Sequence, residues 1–117
     1  MIRSLLLVLL LSGPASAQEI GDAPAGVVRW LDKVTGETAD LYLARGESVT
    51  RGHLTIQLDD CRFPLGNPSS NAYAHVTVTD STKPEPVFSG WMISSSPALS
   101  AMDHPRYDVW ILRCDTE

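Results

Sequence analysis

Basic side chains are scarce in this chain, and so are cysteines, aromatics and long apolar runs. Nine lysines and arginines stand against 14 acidic residues, giving a net charge of −5 at pH 7. Such a surface repels phosphate backbones and anionic headgroups, which argues against nucleic-acid binding and against adsorption to lipid. The only two cysteines, Cys61 and Cys114, are far apart in sequence rather than in a C-x-x-C pair. With no helix start beside them to acidify a thiol, a redox role is disfavoured. The chain also lacks G-x-S-x-G, a glycine-rich phosphate loop, H-x-x-x-H spacing, internal repeats and low-complexity segments. Beyond its N-terminus, no apolar run approaches the roughly 20 residues that span a bilayer.

What is present begins with a targeting signal. Arg3 precedes an apolar run over residues 5–11, Ser12, Gly13 and Pro14 break it, and Ala15-Ser16-Ala17 offers small residues at the two positions a signal peptidase reads. This pattern predicts a Sec-type signal peptide, residues 1–17, cleaved after Ala17. No cysteine stands at the cleavage point, so a lipid anchor there is excluded, and no direct membrane insertion is expected after cleavage. Export places Cys61 and Cys114 in an oxidising compartment, where two cysteines in a small domain pair. Closing so long a loop stabilises a domain by about 4 kcal/mol in the chain-entropy account.

Residues 18–26 are small, polar and Pro/Gly-containing, which predicts a flexible leader. Residues 27–117 then read as a single β domain. Short strands are expected over 27–31 and 41–43, with an edge strand over 48–50 and turns at Gly36, Gly46 and Gly52. Residues 53–60 alternate cleanly, with Leu54, Ile56 and Leu58 on one face and His53, Thr55, Gln57 and Asp59 on the other. Cys61 falls on the polar phase, so a bulge or the end of the strand must turn it inward. A long loop over 62–71 follows. Ala72, Ala74, Val76 and Val78 then form the inner face of another strand, with Tyr73, His75, Thr77 and Thr79 outside. The small alanines imply something bulky opposite, for which Trp91 or Trp110 is the expected partner. Extended structure resumes over 87–93.

Ser96 reads as a helix cap with Pro97 at the first helical position, and Leu99 and Met102 would share the buried face. His104 before Pro105 stops the helix, and residues 107–114 form the last strand. The whole is a mainly β fold: a single-domain antiparallel β-sandwich or small barrel of six or seven strands with one short helix.

Catalytic chemistry finds little support in these residues. Ser94, Ser95 or Ser96 with His104 and Asp103 or Asp108 could be drawn as a hydrolase, but without a nucleophile turn Ser96 is better explained as a cap. His53, His75 and His104 lack ligand spacing and read as solvated or capping side chains; strand pairing could bring His53 and His75 together. Asp59 and Asp60, as strand neighbours, should point to opposite faces. No catalytic residue, metal or cofactor is therefore expected. Recognition by surface remains, with Phe88, Trp91, Pro105, Tyr107 and Trp110 as the candidate interaction surface around the short helix.

Trp30-Leu31-Asp32-Lys33-Val34-Thr35-Gly36, Phe88-Ser89-Gly90-Trp91-Met92, Ser95-Ser96-Pro97-Ala98-Leu99, His104-Pro105, Tyr107-Asp108-Val109-Trp110 and Cys114 together carry a resemblance. Over about residues 29–114 the chain resembles a family of small secreted alphaproteobacterial proteins, a domain of unknown function (domain 2155). The resemblance implies a periplasmic protein with a Cys61–Cys114 pair and no assigned enzyme activity. It also implies a link to the respiratory NADH–quinone oxidoreductase, as an accessory subunit on its periplasmic side. The expected function is a non-enzymatic periplasmic interaction module, docking on a protein partner at the periplasmic membrane face. The alternatives are a small-ligand or glycan-binding domain using the 62–71 loop and an exposed tryptophan and, behind both, a serine hydrolase.

Overall fold

The computed structural model describes residues 19–97 and 102–116. The signal segment, Leu99 and the body of the expected helix lie outside the described residues. Among the described residues eight strands are found: β1 (Ile20–Asp22), β2 (Ala25–Asp32), β3 (Thr38–Ala44), β4 (Ser48–Arg51), β5 (Leu54–Pro64), β6 (Tyr73–Asp80), β7 (Phe88–Ile93) and β8 (Tyr107–Asp115). All pair antiparallel, in two sheets. In the first sheet β5 is central: β6 and then β7 lie on one side, while β4 and β1 follow each other along the other side. The second sheet is β3-β2-β8. The architecture is a sandwich.

Local chemistry sets the turns. Asp32 closes the β2–β3 turn by accepting the Val34 N–H at 2.9 Å, and Gly36 takes a φ of 79° there. Between β4 and β5 the chain reverses at Gly52, with a φ of 60° and the hydroxyl of Tyr107 directly against it.

The alternation read in β5 is realised: Leu54, Ile56 and Leu58 are fully buried. Between Leu58 and Asp60 the pairing with β6 slips by one residue, so a bulge changes the strand's phase. Past it the odd-numbered Cys61 and Phe63 point into the core and Arg62 points out. The same bulge overturns the expectation for the carboxylates. Asp59 and Asp60 both bond to side chains on the outer face rather than pointing apart.

The inner faces of β5, β6 and β7 meet Val28, Trp30, Leu43, Val109 and Ile111 of the second sheet. Each fully buried Leu, Ile or Val stabilises the fold by about 1.5–3 kcal/mol relative to exposure. Cys61 and Cys114 are bonded, with Cα atoms 5.8 Å apart, and so tie β5 of one sheet to β8 of the other. Gly26 of β2, paired with Cys114, makes room for this bond; a Cβ there would lie 3.1 Å from the Cys61 sulfur.

Several expectations change. Of the leader expected over 18–26, the described part is not free, because Ile20–Asp22 pairs with Arg62–Pro64 and Ala25 opens β2. This added strand raises the count from six or seven to eight. The loop expected over 62–71 starts only after Pro64, since backbone pairing with β1 keeps Arg62–Pro64 extended. The core tryptophan is Trp30, 3% exposed, whereas Trp91 and Trp110 both lie on outer faces. His104 is neither solvated nor a simple stop: it is 6% exposed and hydrogen-bonded to Asp80.

Candidate functional site

The outer face of the first sheet carries an open cleft of about 280 Å³, lined by Ile20, Arg62, Tyr73 and Trp91. One side chain comes from each of β1, β5, β6 and β7, so the cleft crosses the strands. Register explains the grouping. Asp22 pairs with Arg62, Arg62 with Tyr73, and His75 with Trp91. All of these side chains are on the outer phase, Arg62 because the bulge puts it there.

Arg62 and Trp91 organise the cleft. The guanidinium carbon of Arg62 lies 5.0 Å from the centre of the Trp91 ring, a cation–π contact. Arg62 Nε is 3.0 Å from Asp60 Oδ2 and 3.4 Å from Asp22 Oδ1, so its charge is matched within the protein. Arg45 stands 3.7 Å from the other Asp60 oxygen. The His75 ring meets the Trp91 ring edge-on, with centroids 5.3 Å apart. Asp59 holds that imidazole in place: His75 Nδ1–H donates to Asp59 Oδ2 at 2.7 Å, and the Thr77 hydroxyl donates to the same oxygen at 2.6 Å. Gln57 donates to the second Asp59 oxygen at 2.9 Å. Trp91 stays 39% exposed, with Ile20 and Leu65 also open to solvent. A fixed aromatic ring, a neutralised guanidinium and an aliphatic rim suit an uncharged or apolar group.

The five residues of the candidate interaction surface are not brought together. Trp91 alone lines the cleft. Tyr107 is 2% exposed and packs against Trp30 at 5.6 Å and His104 at 5.2 Å. Phe88 is half-buried on the inner phase of β7 and packs on the core. Trp110 is half-buried on the outer phase of β8, opposite Arg29, and Pro105 is exposed in the approach to β8. Ser96 N–H donates to the Ile93 carbonyl at 3.1 Å in the turn that leaves β7, and exposed Pro97 follows it. Ile20, Arg62 and Tyr73 had no motif to mark them; only the outward phase of Tyr73 was readable.

Of the groups drawn as a hydrolase, Ser94 and His104 hold structural hydrogen bonds. The Ser94 hydroxyl donates to Asn71 Oδ1 and accepts the Ala72 N–H, pinning the loop before β6. His104 Nδ1 accepts the backbone N–H groups of Arg106 and Tyr107, which leaves Nε2 protonated and donating to Asp80. His53 and His75 lie at opposite ends of the β5–β6 hairpin, since Leu54 pairs with Asp80 while His75 pairs with Asp60. Among the described residues no three His, Cys, Asp or Glu side chains converge in a metal-binding group. No helix among them is long and apolar enough to cross a membrane.

Fold and cleft define a small, disulfide-linked, two-sheet β domain with an aromatic cleft on one outer face. The chain belongs to the family described as "Uncharacterized protein conserved in bacteria (DUF2155)", matched over residues 26–114. It is also similar to an uncharacterized protein of Rickettsia prowazekii (strain Madrid E), 32% identical over 92 residues. That alignment covers 76% of this chain but 59% of the relative, so the chain spans little more than half of that protein's length. No solved structure matches. The disulfide fits an oxidising, extracytoplasmic setting.

Proposed function

We propose that this chain is a non-catalytic periplasmic docking domain that seats an apolar side chain of a protein partner at the membrane face. One observation carries the reading: Trp91 stands exposed on the outer sheet face, with the Arg62 guanidinium over its ring and the His75 ring packed perpendicular to it. Tryptophan and arginine are the residues most enriched at binding hot spots, and a ring already held in place loses little freedom on binding. Asp22 and Asp60 neutralise Arg62, which favours a neutral or apolar occupant over an anion. The partner is a membrane or envelope complex; the respiratory NADH–quinone oxidoreductase is the candidate that the family resemblance implies.

Affinity capture from detergent-solubilised native membranes tests the reading. A defined membrane complex should co-purify with the native chain and be lost with Trp91→Ala. Recovery of the chain free of any complex would sink it. A second reading, a small-ligand or glycan site, is favoured by the cleft volume, which is near the lower bound for small-molecule pockets. Trp91 fluorescence should then respond to a panel of glycans and small metabolites, and a flat response would remove it.

A further inference from the structure

Five strands end the two sheets, and four of them carry devices that block the approach of another strand. β1 and β4 are short and charged, with Asp22 and Arg51. β3 carries Asp40. β8 carries Asp108, Arg113 and Asp115, and its register with β2 skips Leu112, the mark of a bulge. Charges, short length and bulges are the usual means by which edges avoid pairing with other chains. Past its first pair, where Val87 N–H reaches the carbonyl of Val78, the register partner of Phe88, β7 has none of them. Phe88-Ser89-Gly90-Trp91-Met92-Ile93 contains no charge and no proline, and it pairs with β6 without a register shift.

The direction of its free hydrogen-bonding groups follows from one contact. Ser94 N–H donates to the Ala72 carbonyl, on the same register as the β6–β7 pairs. By alternation, Met92, Gly90 and Phe88 direct their backbone groups at β6. Those of Ser89, Trp91 and Ile93 point away from the sheet, where no described strand pairs with them.

We propose that this edge pairs with the same edge of a second copy, antiparallel, about a twofold axis through Trp91. Trp91 then faces Trp91 of the other copy, and Ser89 faces Ile93. The outward N–H and C=O groups can then form about six inter-chain hydrogen bonds, with the Ile93 carbonyl using its second lone pair beside the Ser96 N–H that it already accepts. On the inner phase Gly90 lies opposite Met92, small against large. Charge favours the same choice. Two copies of a chain with net charge −5 repel, and of these five edges β7 is the one that carries no charged side chain. Pairing would also set two clefts side by side on one continuous sheet, from Ile20 of one copy to Ile20 of the other.

The test is light-scattering mass across a concentration series, with the chain produced from its full sequence and its disulfide formed. The mass should rise from one chain to two, at lower concentration in high salt, where the repulsion is screened. Ser89→Lys and Ser89→Pro should both hold the mass at one chain. The Ser89 N–H points outward, so proline there costs no bond to β6. Amide exchange by NMR reads the geometry: Ser89, Trp91 and Ile93 should be protected only in concentrated samples, and Phe88, Gly90 and Met92 in all samples and in both variants. A mass of one chain at the highest soluble concentration overturns the proposal and points to a foreign strand as the edge's mate. A dimer that survives both substitutions, or one without the alternating protection, overturns it as well.

Discussion

His104 and Asp80 meet inside the protein, with the imidazole Nε2–H donating to Asp80 Oδ2 across 2.8 Å and both side chains at least 94% buried. The contact fastens the chain entering β8 of one sheet to the last residue of β6 in the other. Asp80 Oδ1 also takes the N–H and hydroxyl of Thr82, so a single carboxylate holds two loops.

This carboxylate makes stability acid-dependent. The His104 hydrogen bond, then those from Thr82, hold the Asp80 carboxyl far below the ordinary carboxylate range. The Arg106 guanidinium lowers Asp32 in the same direction. In the unfolded chain both groups take up protons below a pH of about 4, which the folded protein resists. Stability is therefore full above that pH and falls as pH drops through the folded values. Thermal melts from pH 6 to pH 2 should show a steep loss for the native chain. Asp80→Asn should be less stable at pH 6 and show a shallower slope; an unchanged slope would refute this account.

Replacing Cys61 and Cys114 by alanine should cost about 4 kcal/mol. For a domain of this size that is a fall of on the order of 20 °C in Tm. The measurement is a paired thermal and urea unfolding series, with the reduced native chain as control. A loss below about 1 kcal/mol would mean that packing of the two sheets alone closes the sandwich.

The three left-handed glycines should not be equivalent. Gly36 and Gly46 face open space, so alanine there should cost about 1–2 kcal/mol, for the backbone alone. At Gly52 a Cβ would sit 2.6 Å from the Tyr107 hydroxyl, whose ring is buried, adding about 1–3 kcal/mol. Chemical denaturation of the three single variants orders them; equal losses would refute the contact.

Trp91→Ala should separate binding from folding. The ring packs on an outer face, so stability should change by no more than about 1 kcal/mol. Partner affinity should fall by about 2 kcal/mol or more, roughly thirtyfold. Trp30→Ala should do the opposite and cost about 3–5 kcal/mol of stability, because that ring is core.

Where alternation is unambiguous, the sequence was a sound guide. Leu54, Ile56 and Leu58 against Thr55 and Gln57 could be read as a half-buried strand, and the parity of Cys61 demanded the irregularity that is found. β1 was illegible because Ile20 is its only large apolar residue; it is a strand through backbone pairing with residues some 40 positions away. β7 has large apolar side chains on both phases, so its pattern does not say which face Trp91 takes. In β8, by contrast, Asp108 shares the phase of Trp110 and marks it as outward. The partner of His104 lies 24 positions away, which no local rule on His-Pro can reach. The cleft was hidden for the same reason, since its four lining residues come from four strands.

The bulge at Asp59 acts as a crank in the middle of the longest strand. One supernumerary residue rotates everything after it by half a turn of the pleat, and two unrelated outcomes ride on that rotation. Were Asp59 drawn into regular pairing instead of bulged out, Cys61 would swing to the surface and Arg62 into the interior, unlocking the sandwich and erasing the cleft in one step. The bond that closes this protein and the face it turns outward are thus inherited together; no change of frame in β5 can lose one and keep the other.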